Sequence, residues 1–100
     1  MTRRLPLIGL NATPDHVDAF KALAHAGRLD VFFALVKARK EQSMGQLQER
    51  LSIPGPTLSH HIDQLRRAGL VKTRRQERFV LCSVDTTMVT DLVRLLTACC

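Results

Sequence analysis

Cys99 and Cys100 are adjacent thiols closing an amphipathic segment. Two neighbouring thiolates can bond one soft ion, because soft ions prefer sulfur over nitrogen or oxygen. With Cys82 the cysteine count is three, which gives no paired framework. Adjacent cysteines rarely bridge each other, since a disulfide needs Cα atoms farther apart and suitably directed. Free thiols in a small domain point to a reducing compartment, so the chain reads as cytoplasmic. Cys82 alternates with Val80 and Val84 in a β-rich run. That places it on the inward face of a hairpin, where a buried cysteine usually behaves as a small hydrophobe, with a role as third ligand the alternative.

A second constellation can do different chemistry. The stretch 43–68 reads as a short helix, a turn and a longer helix, a helix-turn-helix pattern. In such a pair the second helix enters the major groove and its first residues meet base edges. Thr57, Ser59 and His60 supply hydroxyls and an imidazole there, and His61, Gln64 and Arg67 continue the same helix. Six basic residues (Arg66, Arg67, Lys72, Arg74, Arg75 and Arg78) fall between positions 66 and 78, against the single acid Glu77. A basic hairpin directly after a helix-turn-helix is the arrangement of a wing lying along phosphates. Arg74, Arg75 and Arg78 are the candidate wing contacts, and these position a protein on DNA without specifying sequence.

The elements that must hold these groups are legible in outline. One hundred residues with 45% hydrophobic content make one domain with a modest core. Lys and Arg number 15 against nine Asp and Glu, a net charge of +6, which favours polyanionic partners. Residues 1–12 read as a flexible N-terminal arm and 13–100 as the folded domain. Leu5–Leu10 is too short and interrupted for a signal peptide or a membrane span. Thr13-Pro14-Asp15 starts a helix by capping and dipole chemistry, and Gly27 interrupts before a second helix that ends in Lys37–Lys40. Ser43 caps a third helix, and a fourth runs from about Gly55 to Ala68, where Gly69 stops it. Residues 71–75 and 79–84 then read as a hairpin, and Asp85 begins a last helix with a broad apolar face. The expected class is α+β and mostly helical: about five helices with a two-stranded wing.

Two blocks carry a family resemblance. Phe20–His25 followed by Arg28-Leu29 resembles the "LA-x-x-x-RL" opening of the ArsR/SmtB winged-helix repressors. Leu58–Val71 resembles that family's "(V/I)S-x-HL-x-x-L-x-x-AGLV" signature. The resemblance covers about residues 15–98. It implies a homodimer built through the first and last helices, bound to double-stranded operator DNA and released when a metal or metalloid binds. The broad apolar face of 88–96 agrees with pairing to a symmetry mate. Three positions depart from the pattern. Gly55-Pro56-Thr57 stand where polar side chains are commoner. Asp63 stands where a base is common and would repel phosphate. Glu77 replaces the usual glycine of the wing turn, which suggests a longer or differently shaped tip.

The family's third-helix "C-x-C" site is absent, and residues 86–100 hold no histidine for its last-helix zinc site. His16, His25, His60 and His61 show no ligand spacing and read as surface or capping histidines. A last helix ending Leu-x-x-Cys-Cys resembles the subgroup that senses trivalent arsenic or antimony through thiolates. There a third cysteine, a few residues on, often completes the site. Cys99 and Cys100 are therefore the candidate ligands, and two thiols suit methylarsenite. Two other readings stay open: sensing of persulfide or oxidant by the same thiols, and ligand-independent DNA binding. No nucleophile–base set, glycine-rich phosphate loop or carboxylate pair points to an enzyme, and no stretch is long enough for a membrane role.

Overall fold

The helices begin where local capping chemistry starts them. In the computed structural model, which describes residues 12–98, α1 spans Pro14–Leu23 and opens with a reciprocal cap. The Thr13 hydroxyl accepts from the His16 N–H at 3.3 Å, and His16 Nδ1 accepts from the Thr13 N–H at 3.2 Å. The helix α2, Ala26–Ala38, starts one residue before Gly27, because His25 Nδ1 caps the Arg28 N–H. The break between the first two helices is thus made by His25, not by Gly27 as the sequence suggested. Ser43 and Gln46 cap α3, Met44–Leu51, reciprocally. The longer α4, Gly55–Arg67, has no side-chain cap. Asp85 accepts from the Thr87 N–H and starts α5, Thr86–Thr97. Side-chain caps of this kind contribute about 0.5–2 kcal/mol each.

The sheet has one strand more than the sequence showed. The strands β2, Val71–Gln76, and β3, Phe79–Val84, pair antiparallel from Val71↔Val84 to Gln76↔Phe79. A two-residue strand β1, Gln42–Ser43, adds to the other edge of β3, giving the order β1-β3-β2. The wing tip is short, since only Glu77 and Arg78 connect the paired strands. Glu77 takes the left-handed conformation itself, at φ 57°. The residue that seemed to demand a longer tip occupies the backbone region that glycine adopts most easily, so the turn stays tight.

Helix α4 packs on α1, α2, α3 and β2, and this central place explains its apolar stripe. Leu58, Ile62 and Leu65 are buried with Val31, Leu35, Leu47 and Leu70 in one core. Gly69, at φ 80°, ends α4 and turns the chain into β2, a conformation that a β-carbon would disfavour. Cys82 is wholly buried in the central strand, as its alternation predicts. Its thiol lies 3.5 Å from Met44 Sδ. Phe33 and Val36 on α2, Phe79 on the wing, and Val93 and Leu96 on α5 remain exposed. Residues 1–11, which hold nearly all of the expected N-terminal arm, and the thiols Cys99 and Cys100 lie outside the described residues.

Candidate nucleic-acid interface

The fold brings most of the expected DNA contacts onto α4 and the wing. Thr57, Ser59 and His60 are exposed on the first half of α4. The first N–H groups of that helix have no side-chain cap, which leaves donors of the kind that meet phosphate. Pro56 stands in the first turn, where its missing N–H costs nothing. The second half of α4 is organised differently. Asp63 Oδ1 accepts from Arg66 Nη2 at 2.8 Å, and Asp63 Oδ2 lies 3.0 Å from Arg67 Nε. The arginine beside it holds the Asp63 carboxyl below the usual carboxylate range. The repulsion toward phosphate expected of this acid is therefore compensated by its own neighbours. Gln64 is half-buried and, with Arg67, lines a shallow groove against α1 and α2.

His61 is buried, away from the exposed face of α4 that carries the other expected contacts. Only 6% of it is exposed, because it fills the space that Gly27 leaves on α2. A β-carbon at position 27 would lie 3.1 Å from His61 Nε2. The His25 ring centroid is 5.1 Å away, and His61 Nδ1 has no hydrogen-bond partner among the described residues. The motif histidine thus joins the start of α2 to the recognition helix. Burial pushes its imidazole below the ordinary value of 6.5, helped by the positive field of His25, Arg28 and His60. Above 6.5 the residue is neutral folded and unfolded, so nothing is lost. Below 6.5 the unfolded chain takes up a proton that the folded chain resists, and stability falls with pH. Urea unfolding between about pH 7.5 and about pH 5.5 should show this decline, at most about 1.4 kcal/mol per pH unit from this group. The His61→Gln variant should show a shallower dependence, and an unchanged slope would refute the assignment.

The wing carries the remaining cations, and they are not equivalent. Arg74 is clamped by Glu41, with Arg74 Nε donating to Oε2 at 2.6 Å and Nη2 to Oε1 at 2.7 Å. This pairing holds the Glu41 carboxyl below its usual range. Two of the Arg74 guanidinium donors are already taken by Glu41, so of the three expected wing contacts it is the least free to meet phosphate. Arg75 and Arg78 are exposed and enter no ion pair among the described residues, although Arg78 stacks 5.6 Å above the Phe79 ring. Lys72, which the sequence reading passed over as a contact, is exposed on the same strand. Glu41 was also missed. It lies 33 residues from Arg74, and no local signal announces a contact over that separation.

Cys82 does not extend a thiolate site. Burial, aided by Glu41, raises its thiol to about 11, so it stays protonated and a poor ligand. No helix among the described residues is long and apolar enough to cross a membrane.

A helix-turn-helix domain family matches residues 23–74. The transcriptional regulator KmtR of Mycobacterium tuberculosis is 36% identical over 77 residues, which cover 77% of this chain. This alignment spans only 58% of KmtR's length. The transcriptional activator HlyU of Vibrio cholerae is 37% identical over 76 residues, covering 76% of this chain and 68% of HlyU. The solved structure of that HlyU superposes with a TM-score of 0.69 at 35% identity, over 82% of this chain and 87% of the other. A structure of the reduced HlyU gives 0.68 at 35% identity, over 82% and 84%. The homodimeric winged helix-turn-helix domain of Mb0332 from Mycobacterium bovis, a possible ArsR-family regulator, shares the fold. It superposes with a TM-score of 0.69 at 24% identity, over 82% of this chain and 74% of that one. With its helix-turn-helix at α3–α4, its basic wing and these relatives, the chain belongs to the helix-turn-helix domain family whose model it matches, among transcriptional regulators such as KmtR and HlyU.

Proposed function

We propose that the protein is a homodimeric repressor that binds operator DNA through α4 and the wing and is released when trivalent arsenic or antimony bonds Cys99 and Cys100. The observation that carries the effector is the place of the two thiols in the sequence, directly after Ala98, the C-cap of α5. A soft ion held there acts on the helix that pairs the subunits. The pairing runs through α1 and α5, where Val93 presents an exposed apolar side chain. Thiolates must lose protons to bind, and an ion that prefers the DNA-free dimer shifts the population toward it. Burying Val93 and its neighbours against a second copy would also add to a core that is modest for one chain.

A second reading keeps the repressor and changes the signal. A relative as similar as HlyU has been solved in a form described as reduced, and vicinal thiols can move along the oxidation ladder. Persulfide or oxidant would then replace the metalloid.

Fluorescence anisotropy separates these readings. The reduced protein is bound to DNA from upstream of its own gene and titrated with arsenite, methylarsenite, antimonite, zinc, persulfide and peroxide. Release by the trivalent metalloids, abolished in Cys99→Ser/Cys100→Ser, is the expected result. Release by persulfide or peroxide alone transfers the function to the redox reading. DNA binding that none of them disturbs overturns both.

A further inference from the structure

A groove of about 370 Å³ runs between the end of α2, the end of β3 and the start of α5. Its walls are apolar: Val36 and Leu35 from α2, Val84 from β3 and Val89 from α5. Its size falls within the range of small-molecule sites. Two cations, Arg39 and Lys40, stand at its edge. Both are exposed, and neither enters an ion pair among the described residues. The acids nearest in sequence are already engaged. Glu41 clamps Arg74, and Asp85 caps α5. Ser83 and Thr86 also line the groove.

This combination selects a ligand class. An apolar trough favours a hydrocarbon or aryl body, because its burial releases water from both surfaces. Two uncompensated cations at one end favour a single anionic head, and a carboxylate is matched by the fork of an arginine. The geometry points to a binding site for amphipathic monocarboxylates of medium chain length, lying across α2, β3 and α5. The carboxylate lies between Arg39 and Lys40, and the apolar body lies along Val36, Val84 and Val89. The groove is lined by no residue of α4 or of the wing turn, and the proposal does not depend on which effector the C-terminal thiols sense. Val89 and the exposed Val93 lie one turn apart on α5. A ligand in the groove therefore touches the helix assigned above to subunit pairing.

The test uses the full chain and reads binding, not DNA release, so its failure is separate from that of the repressor reading. The protein contains no tryptophan or tyrosine, so a dansylated undecanoate reports occupancy without interfering emission. The probe is titrated onto the protein and then displaced with decanoate, decanol or decyltrimethylammonium. Saturable binding is expected, with displacement by decanoate at least about tenfold stronger than by decanol, a difference of about 1.4 kcal/mol. The cation should displace least. Arg39→Gln/Lys40→Gln should erase the preference for decanoate over decanol. Val36→Asp, a change at an exposed position, should weaken carboxylate binding about tenfold without lowering the thermal midpoint. No saturable binding overturns the site. So does equal displacement by all three amphiphiles, or a preference that survives the double variant. Sedimentation at each protein concentration completes the test, since probe binding that disappears as dimer forms would assign the groove to the second copy instead.

Discussion

Leu65→Ala is expected to lower the unfolding free energy by about 2–5 kcal/mol, the range for deleting a leucine side chain from a packed core. Leu65 is fully buried on α4, the helix that touches α1, α2, α3 and β2. Its neighbours in the core, Leu58, Leu70 and Val31, are themselves fully buried and cannot close the cavity without moving whole elements. Against a total stability of about 5–15 kcal/mol for a domain of this size, the variant loses a large share. Each kcal/mol corresponds to about 4–8 °C in the melting midpoint, so a drop of at least about 8 °C is the expected calorimetric result. The same change loosens the recognition helix, and operator affinity should fall with stability. A melting shift of only a degree or two would mean that α4 is not the centre of the core.

The wing variant acts on function and not on stability. Arg75→Ala/Arg78→Ala removes two exposed cations per protomer, hence four in the proposed dimer, that have no acidic partner among the described residues. Each lost phosphate contact reduces the slope of log affinity against log salt by about 0.9. The dimer's slope should therefore become shallower by up to about 3.6. At roughly physiological salt the operator affinity should fall by about two orders of magnitude, with non-specific DNA affected nearly as much. Thermal stability should stay within about 0.5 kcal/mol of the parent, since surface substitutions of this kind touch no core contact. Arg74→Ala is the internal control. Glu41 already occupies that guanidinium through two short hydrogen bonds. While clamped it is not free to contact phosphate, so its removal should change the salt slope by less than for either other arginine. Equal slopes for all three wing arginines would show that the clamp opens on DNA.

Three of the helix starts were legible because their causes lie within four residues. Thr13 with His16, Ser43 with Gln46, and Asp85 with Thr87 satisfy backbone donors in the first turn, and a reader of the chain can see both partners at once. Gly69 announced the end of α4 for the same reason, since its φ of 80° is a local demand. The inward face of β3 followed from alternation, and Cys82 took its expected place. The basic run from Arg66 to Arg78 needed only counting.

Other features depended on parts of the chain far apart. Strand β1 is two residues long and has no propensity signal; it exists because β3 offers an edge to Gln42 and Ser43. The Glu41–Arg74 clamp ranks the wing arginines, yet its partners are joined only by the packing of β1 beside the hairpin. His61 looked like a DNA contact because its position on α4 is near the edge of the apolar stripe. It is buried because Gly27, on another helix, has no side chain to keep it out. The groove between α2, β3 and α5 likewise has walls from segments separated by up to half the chain. Capping, turn and alternation rules act over a few residues, and sequence displays them. Burial, ion pairing across elements and cavities are properties of surfaces that meet only after folding, and their energies depend on which surfaces meet.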